Sequence, residues 1–368
     1  MVRLASFIPI LGAATFSNAI PTGDLPLSEP VAVERVSVDY RQASYWKPPM
    51  KSNIQFILSG IPDVDDDYIR PLAGIYEIDM FYTPAETIKK MNQLGQKVIC
   101  YFSAATAENW RDDYNQFKKQ DLGKELPDWP GERYLDIRRA NVFEVIKKRI
   151  DLAAQKGCNA IEPDNVDVYS NDNGFTPEIT PGDTVAYLHK ISAYARNKGM
   201  SVGIKNCIEI LGDIFPDVDF AISEECVQWL NCTAYANFTT APRAGLEGKP
   251  VFEVEYVNYT YTGGWSDQGV ALNPSKFRLT NVNFPGLKDE KLRRKLCNLD
   301  EEGASLEKPF LKINSIIKTL ELDGFVMFCD GSAEITKTKS VDRAMAGKSG
   351  IVRRSWARER MWRRMGGR

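Results

Sequence analysis

The sequence predicts an α/β protein of the (β/α)8, or TIM, barrel class, built as a single domain with a long insertion between strands 7 and 8. Eight short apolar segments alternate with helical stretches, and several of these stretches close at a glycine just before the next segment. This rhythm is typical of parallel βα units, and eight units close a barrel. An open doubly wound sheet is the alternative. It is less favoured because Ser59-Gly60-Ile61-Pro62, after the first strand, is not a dinucleotide-binding loop.

The predicted strands are short and rich in apolar side chains, and they cover 53–59, 74–81, 97–103, 159–164, 201–206, 220–224, 250–256 and 325–329. Three of the intervening helices have clear signals. The first opens at Thr83-Pro84-Ala85-Glu86, a capping-box pattern with proline at the first helical position. Two more cover 142–155 and 184–197, and each has an apolar face and closes at a Lys-Gly pair.

The ends of the chain differ from the predicted barrel. Residues 1–19 combine Arg3, an apolar stretch and a small-x-small site, which predicts a signal peptide and a secreted, extracellular protein. A Pro-rich leader follows at 20–41, and the barrel covers 42–332 with its insertion at 257–308, where one short helix is expected near 288–299. Residues 333–368 form a basic tail that is predicted to be disordered. No segment is long enough to span a bilayer, so no membrane partner is expected.

Glycosylation and disulfide formation fit such an exported protein. Three acceptor sequons begin at Asn231, Asn237 and Asn258. The predicted disulfides join Cys226 to Cys232 and Cys297 to Cys329. The other cysteines are predicted to be buried thiols: Cys100, Cys158 and Cys207.

The charge is unevenly distributed along the chain. Residues 335–368 carry eleven Lys or Arg against two Asp or Glu, so the rest of the chain carries a net charge of −11 within the total of −2. An acidic body favours cationic ligands through its long-range field. A nucleic-acid partner is therefore not expected, and the protein is predicted to act as a monomer.

An acidic segment marks the end of the fourth strand. It reads N-A-I-E-P-D-N-V-D and contains Glu162, Asp164 and Asp167. A carboxylate that leaves water loses several kcal/mol unless it is paired, so acids clustered at the end of a buried strand predict the edge of an active site. The alternative is a turn or helix-start cluster, because Pro163, Asp164 and Asn165 are also turn residues.

The chain has a single histidine, His189, inside a predicted amphipathic helix. This position excludes a Ser-His-Asp or Cys-His nucleophile pair at a strand end, and it excludes a His-rich zinc site. Carboxylate chemistry remains. Either paired acids cleave a glycosidic bond, or an all-oxygen site binds Mg²⁺ or Ca²⁺.

Reactive groups of a barrel lie at the carboxyl ends of its strands, and here those ends are mostly acidic. Asp164 and Glu224 are the candidate catalytic pair, because their strands are two steps apart and can face each other across the barrel mouth. Neighbouring charges would bias their pKa values, and aromatic rings would stack on sugars. The candidate binding residues are Asp79, Tyr101, Glu162, Asp167, Lys205, Asn206, Glu225, Glu255 and Tyr256.

Several motifs occur in a fixed order: Y-E-I-D-M-F at 76–81, V-I-C-Y-F-S-A at 98–104, E-N-W-R at 108–111, Y-L-D-I-R at 134–138, I-E-P-D-N-V-D at 161–167, G-I-K-N at 203–206, S-E-E-C at 223–226 and F-E-V-E-Y at 252–256. In this series the chain resembles glycoside hydrolase family 114, the endo-α-1,4-polygalactosaminidases. The resemblance implies a barrel that cleaves α-1,4-linked galactosamine polymers such as galactosaminogalactan. It also implies that Asp164 and Glu224 are the catalytic pair. We expect no cofactor and no metal.

Departures from the family pattern leave questions open. The insertion at 257–308 and the basic tail are atypical, which leaves the preferred substrate length and the C-terminal boundary open. The sixth-strand motif has Ser223-Glu224-Glu225-Cys226 where the family more often has Asn-Glu-Gln-Cys, so the acid/base is either Glu224 or Glu225, with Glu224 favoured by register. The tryptophan expected just ahead of the first strand is absent, because Ser52-Asn53-Ile54-Gln55 occupies that place.

The leading hypothesis is a secreted, retaining endo-glycosidase with Asp164 as nucleophile and Glu224 as acid/base, acting on an amino-sugar polysaccharide. Galactosamine without its acetyl group is a cation, which fits an acidic mouth. The alternatives are a carbohydrate-binding barrel without catalysis and a metal-dependent lyase or aldolase. Retention and inversion differ in whether the two carboxyls lie about 5 Å or about 6.5–9.5 Å apart, and this distance is not readable from sequence.

Overall fold

The computed structural model describes residues 45–341 apart from 66, 128, 242–244 and 299–312. Within these residues ten strands form one sheet, and their spatial order follows the chain. The first eight pair in parallel and the last two antiparallel. The strands are β1 (Ile54–Ile57), β2 (Ile75–Asp79), β3 (Lys97–Ser103), β4 (Ala160–Asp164), β5 (Ser201–Lys205), β6 (Phe220–Glu224), β7 (Val251–Tyr256), β8 (Ile313–Lys318), β9 (Phe325–Phe328) and β10 (Ala333–Ile335).

Helices follow most of the parallel strands, as a barrel of βα units requires. α2 closes at Gly157, whose φ of 88° is the left-handed conformation expected of a helix-ending glycine. α3 begins before the predicted 184, because Thr180 caps it and Pro181 occupies its first turn. α1 begins at Ala85 after Pro84, without the predicted capping box. The helices are α1 (Ala85–Gln93), α2 (Ala140–Lys156), α3 (Pro181–Asn197), α4 (Leu211–Ile214), α5 (Ala236–Thr240) and α6 (Asp289–Leu296).

The eighth parallel strand differs from the prediction. The sequence predicts it at 325–329, but Ile313–Lys318 pairs in parallel with β7 and is the eighth strand. The segment at Phe325–Phe328 forms β9 and runs antiparallel to β8. β8 has the sequence I-N-S-I-I-K. Its polar residues break up the continuous apolar run by which the other strands are predicted.

The sheet curls until β8 lies beside β1, and side chains of β8 bond to β1 and to the segment just before it. Lys318 Nζ on β8 donates to Gln55 Oε1 on β1 at 2.8 Å, and Asn314 Nδ2 donates to Met50 O at 3.0 Å. One cluster of buried apolar side chains draws on seven of the eight parallel strands and fills the interior. A second cluster packs the outer face of the strands against the helices. The predicted barrel class is confirmed.

Smaller antiparallel units decorate this sheet. Thr106–Glu108, Leu122–Glu125 and Glu132–Leu135 form a three-stranded sheet after β3, and Asn258–Tyr261 pairs with Phe277–Thr280 after β7. Ala333–Ile335 and Thr338–Lys339 are also paired strands, although the sequence assigns residues from 333 onward to a disordered tail. The ordered chain therefore extends at least to 341. The predicted signal peptide, the leader and most of the tail lie outside the described residues.

Three disulfides link the described residues. The two predicted pairs, Cys226–Cys232 and Cys297–Cys329, are confirmed. The third joins Cys100 in β3 to Cys158 just before β4, so the prediction of buried thiols at these positions is wrong. Cys207 is a buried free thiol, as predicted. In the described part of the chain, no helix has both the length and the apolar character needed to cross a membrane.

Candidate active site

Four consecutive parallel strands each end on a polar side chain. Because the carboxyl ends of parallel strands meet at one edge of a barrel, these side chains converge at its mouth. Sequence alternation directs the last residue of each strand inward, since every second side chain of a strand lies on the same face. The four residues, from β4 to β7 in order, are Asp164, Lys205, Glu224 and Tyr256.

The Lys205 ammonium lies among three carboxylates. Its Nζ is 3.5 Å from Glu162 Oε1, 3.5 Å from Asp164 Oδ1 and 3.4 Å from Glu224 Oε2. The Asp164 and Glu224 oxygens that contact it are therefore no more than about 7 Å apart. The two candidate catalytic acids share one cation and face the same space.

Exposure separates the three acids. The Asp164 and Glu224 side chains are 17% and 32% exposed, whereas the Glu162 side chain is fully buried. A substrate entering from the mouth can reach the first two acids. Glu162 lies beneath them and acts on them through Lys205.

Two contacts hold Glu224 in position. The Tyr256 hydroxyl donates a hydrogen bond to Glu224 Oε1, and the Glu224 backbone N–H donates to Asn206 Oδ1 at 3.0 Å. Three of the sequence-predicted residues thus form one unit around the β5 and β6 ends. A carboxylate oriented in this way has little rotamer freedom left to lose when a substrate binds.

Left-handed backbone conformations end the strands at this site. The residue that follows each of β4, β5 and β6 has a positive φ: Asn165 at 60°, Asn206 at 50° and Glu225 at 61°. Asparagine tolerates this region, but for a glutamate it costs about 1–3 kcal/mol, and such strain is concentrated at functional sites. The chain turns sharply after each strand, and the final side chain is left facing the mouth.

The buried charges explain how an ionised cluster persists here. Burial raises the pKa of Glu77 well above its ordinary range, and the charge of the adjacent Glu162 raises it further. Burial also raises the pKa of Glu162, while Lys205 lowers it. For Lys205, burial lowers the pKa, but Asp164, Glu162 and Glu224 outweigh this effect and the pKa is raised well above its ordinary value. Lys205 is consequently a permanent cation at physiological pH.

Two predicted binding residues are not at the mouth. Asp79 Oδ1 and Oδ2 accept from the Arg111 guanidinium at 3.1 and 2.8 Å, and Asp79 is almost fully buried. Glu255 lies on the opposite face of β7 from Tyr256, and its Oε1 accepts from the Val227 backbone N–H at 2.8 Å. Asp79 fixes the segment after β3, and Glu255 fixes the loop after β6.

The remaining predicted residues border the site. Tyr101 is buried in the interior apolar cluster and pairs in register with Glu162. Glu225 is 9% exposed, and the alternation of side chains turns it away from Lys205, which Glu224 contacts. Asp167 and Asn206 line a cleft next to Glu224.

That cleft has a volume of about 220 Å³ and is formed by the segments that follow β4, β5 and β6. Glu224 lines it together with Glu209 and Trp229. Among the described residues, no group of three or more His, Cys, Asp or Glu side chains is arranged to hold a metal ion. The charge of the acids at the mouth is offset by Lys205 instead.

Glu132 is a site residue that the sequence reasoning missed. It lies in the small sheet after β3, and its Oε1 accepts from the Thr106 hydroxyl and from Asn165 Nδ2, the latter at 3.3 Å. Asn165 Nδ2 also donates to Ser103 Oγ at 3.0 Å. Burial, with the nearby charge of Glu108, raises the pKa of Glu132 to about 8. Glu132 thereby anchors the residue that directly follows Asp164, a contact between distant segments that no local pattern announces.

Comparison with known proteins decides the family. The sequence pattern of glycoside-hydrolase family GH114 matches residues 37–334. The chain belongs to this family. Its GH114 membership confirms the resemblance seen in the motifs and makes the protein a glycoside hydrolase, with the paired-acid site described above as its candidate active site.

Solved structures and a curated protein are also similar to the chain. Ega3 from Aspergillus fumigatus, crystallised in complex with galactosamine, is 31% identical, with a TM-score of 0.62 over 78% of this chain and 100% of that one. The glycoside hydrolase domain of PelA from Pseudomonas aeruginosa gives a TM-score of 0.48 at 8% identity, over 74% of this chain and 96% of that one. An uncharacterized protein of Methanocaldococcus jannaschii is 28% identical over 119 residues, which are 31% of this chain. The chain spans only about a third, 34%, of that curated relative.

Proposed function

We propose that the protein is a secreted, endo-acting hydrolase that cleaves α-1,4-linked galactosamine polymers with Asp164 and Glu224 as its catalytic pair. The observation that carries this proposal is the shared contact of both acids with Lys205 at the open end of the barrel. Two opposed carboxyls at such a distance are the arrangement that hydrolyses a glycosidic bond.

Asp164 acts as the nucleophile and Glu224 as the acid/base. In the first step Glu224 gives its proton to the glycosidic oxygen while Asp164 attacks the anomeric carbon. Asp164 then becomes a neutral ester, so the Lys205 charge acts on Glu224 and Glu162 alone and favours the ionised form of Glu224. Ionised Glu224 takes a proton from water, which releases the sugar with its configuration retained.

Tyr256 supports the acid/base role of Glu224 and not of Glu225. Its hydroxyl donates to Glu224, and the Lys205 and Asn206 contacts reach the same residue. When Asp164 becomes a neutral ester in the first step, Lys205 loses one of its negative partners. Glu224 contacts Lys205, so this change of charge acts on Glu224 directly. Glu225 follows Glu224 in the chain, and the alternation of side chains turns it away from Lys205, so it is less directly placed to sense this change.

Charge supports an amino sugar as the substrate. Outside residues 335–368 the chain carries a net charge of −11, and several acids border the mouth and the cleft. A galactosamine polymer without acetyl groups is a polycation, which this field attracts. Ega3, crystallised with galactosamine, is 31% identical to the chain and supports the same choice.

Secretion is supported by three disulfides, which persist in oxidising compartments. Asn237 and Asn258, two of the sequon asparagines, are exposed and accessible to a glycan.

The test of this function is hydrolysis of three polymers by the purified protein. We expect new reducing ends and shorter chains from deacetylated α-1,4-galactosamine polymer, much slower release from its fully acetylated form, and none from an α-1,4-glucan. Cleavage of the glucan at the same rate, or no cleavage of the amino-sugar polymer, would overturn the proposal.

The salt dependence of the hydrolysis rate is a second test in the same assay. The screening length falls from about 30 Å at 0.01 M salt to about 3 Å at 1 M, so the rate on the cationic polymer should fall several-fold over this range. The slow rate on the acetylated polymer should change little, because that polymer is neutral. Equal salt dependence for both polymers would contradict attraction by the acidic mouth.

Glu132 is expected to affect the pH profile. Glu132→Ala removes the anchor of Asn165 and should lower kcat about tenfold or more, whereas Glu132→Gln keeps the hydrogen bonds of a protonated carboxyl and should lose much less. In the wild type, Glu132 ionises as the pH rises through about 8, next to Asp164, and activity should fall there. The Gln variant should lack this alkaline decline. A profile of kcat against pH for all three proteins checks this, and an unchanged decline in the Gln variant would assign it to another group.

A further inference from the structure

The cleft beside Glu224 has no role in the catalytic steps described above. Its lining residues come from segments after three strands and include Asp167, Asn206, Glu209, Glu224, Trp229 and Asn231. Glu224 is among the described residues that line it, and Asp164 is not. In a glycosidase, the group that protonates the glycosidic oxygen lies next to the departing sugar. The cleft is therefore on the leaving-group side of the bond.

Trp229 gives the cleft an aromatic surface. The residue is 46% exposed, which is unusual for one of this size. The Cys226–Cys232 disulfide closes the short loop that carries it, and its backbone N–H donates to Glu225 O at 3.0 Å. A large apolar ring held in water on a closed loop costs free energy unless a ligand covers it, and a sugar ring offers a matching apolar face.

Glu209 gives the same cleft an oriented carboxylate. It lies in the turn after β5, and its Oε2 accepts a hydrogen bond from the Tyr169 hydroxyl at 2.9 Å. Tyr169 follows β4, so two adjacent strand ends cooperate to hold this acid. A carboxylate fixed in this way pairs with an ammonium group without the ordering cost that weakens ordinary surface ion pairs.

We infer that the cleft is the subsite for the sugar on the leaving-group side, and that it selects a residue with a free amino group. Trp229 contacts the apolar face of that sugar, and the Glu209 carboxylate pairs with its ammonium. The inference rests on the proposed function and adds to it a specificity that catalysis alone does not require. In a partly acetylated polymer, the enzyme would cleave the bonds whose leaving-group sugar carries a free amino group.

The test uses two short α-1,4-galactosamine oligosaccharides that differ only in whether the leaving sugar carries a free or an acetylated amine. The wild type should cleave the free form with a kcat/KM about tenfold or more higher, as expected for one oriented ion pair at a partly exposed site. Glu209→Gln should abolish this preference. Glu144→Gln is the matched control, because the Glu144 side chain is 61% exposed on α2 and pairs with Lys147.

An aryl galactosaminide with an activated leaving group separates binding in the cleft from catalysis, because it presents no amine there. Trp229→Ala should lower kcat/KM for the oligosaccharides about tenfold more than for the aryl compound, and Leu230→Ala, a 79% exposed neighbour on the same loop, should not. Equal losses on both substrates, or a preference that survives Glu209→Gln, would overturn the subsite. No hydrolysis of any substrate by the wild type would instead defeat the proposed function.

Discussion

Asp164→Asn and Glu224→Gln are each expected to lower kcat on the galactosamine polymer by about a thousandfold or more. Asp164→Asn removes the nucleophile, and an amide cannot form the ester through which the reaction passes. Glu224→Gln removes the proton donor and the base, two roles that each contribute on the order of 10²–10⁴ in rate. Rates of reducing-end formation measure both losses.

The two variants should differ on the aryl galactosaminide. A good leaving group departs without a proton, so Glu224→Gln should regain much of the lost rate of the first step, whereas Asp164→Asn should not. Asp172→Asn is the control, since the Asp172 side chain is 82% exposed. Wild-type turnover in either catalytic variant would refute that assignment. If Glu225→Gln and not Glu224→Gln carried the loss, the acid/base would be Glu225.

Lys205→Met is expected to damage both activity and stability. The side chain is 8% exposed and contacts three carboxylates, so its loss leaves buried negative charge without a partner. Removing one member of a buried ion pair costs about 3–5 kcal/mol. Lys205 lowers the pKa of Glu162, so this pKa should rise without the cation. Because the positive charge beside both catalytic acids is lost, the acid limb of the activity profile should move to higher pH.

The stability loss has a definite pH dependence. The unpaired carboxylates are charged at neutral pH and protonated in both folded and unfolded protein below about pH 4, so the penalty should be largest near pH 7 and fade on acidification. Thermal unfolding followed by circular dichroism at both pH values measures it. Lys198→Met, at a lysine that pairs with Asp151 on the surface, is the control and should cost no more than about 1 kcal/mol. Equal shifts for the two lysines would mean that Lys205 does not compensate the buried acids.

Most of the barrel follows from local pattern, and its exceptions have physical causes. β3 and β6 have the predicted bounds because their apolar runs begin and end abruptly. β8 is not predicted from the sequence because Asn314 and Ser315 interrupt its apolar run. Its position in the sheet is set by parallel pairing with β7. The Cys100–Cys158 disulfide is also not predicted, because its cysteines are 58 residues apart and become neighbours only when β3 and β4 pair.

The site residues also divide into those that the local sequence predicts and those that depend on contacts between distant segments. Asp164, Lys205, Glu224 and Tyr256 are candidates from sequence because each ends a strand. Glu255 is a candidate because it lies one residue before the end of β7, but strand alternation turns it to the outer face, where its carboxylate accepts a hydrogen bond from the Val227 backbone N–H. No local sequence pattern marks Glu132 as a site residue, because its contact with Asn165 joins segments 33 residues apart.

The loop closed by Cys226 and Cys232 has a consequence for how the enzyme is produced. A bacterial cytoplasm keeps thiols reduced, and there the loop that carries Trp229 would lose its covalent closure, as would the links at Cys100–Cys158 and Cys297–Cys329. Protein made there would hold the Trp229 indole less firmly at the cleft, which should weaken its action on long chains. Expression through an export route is the sounder choice for judging what this enzyme digests.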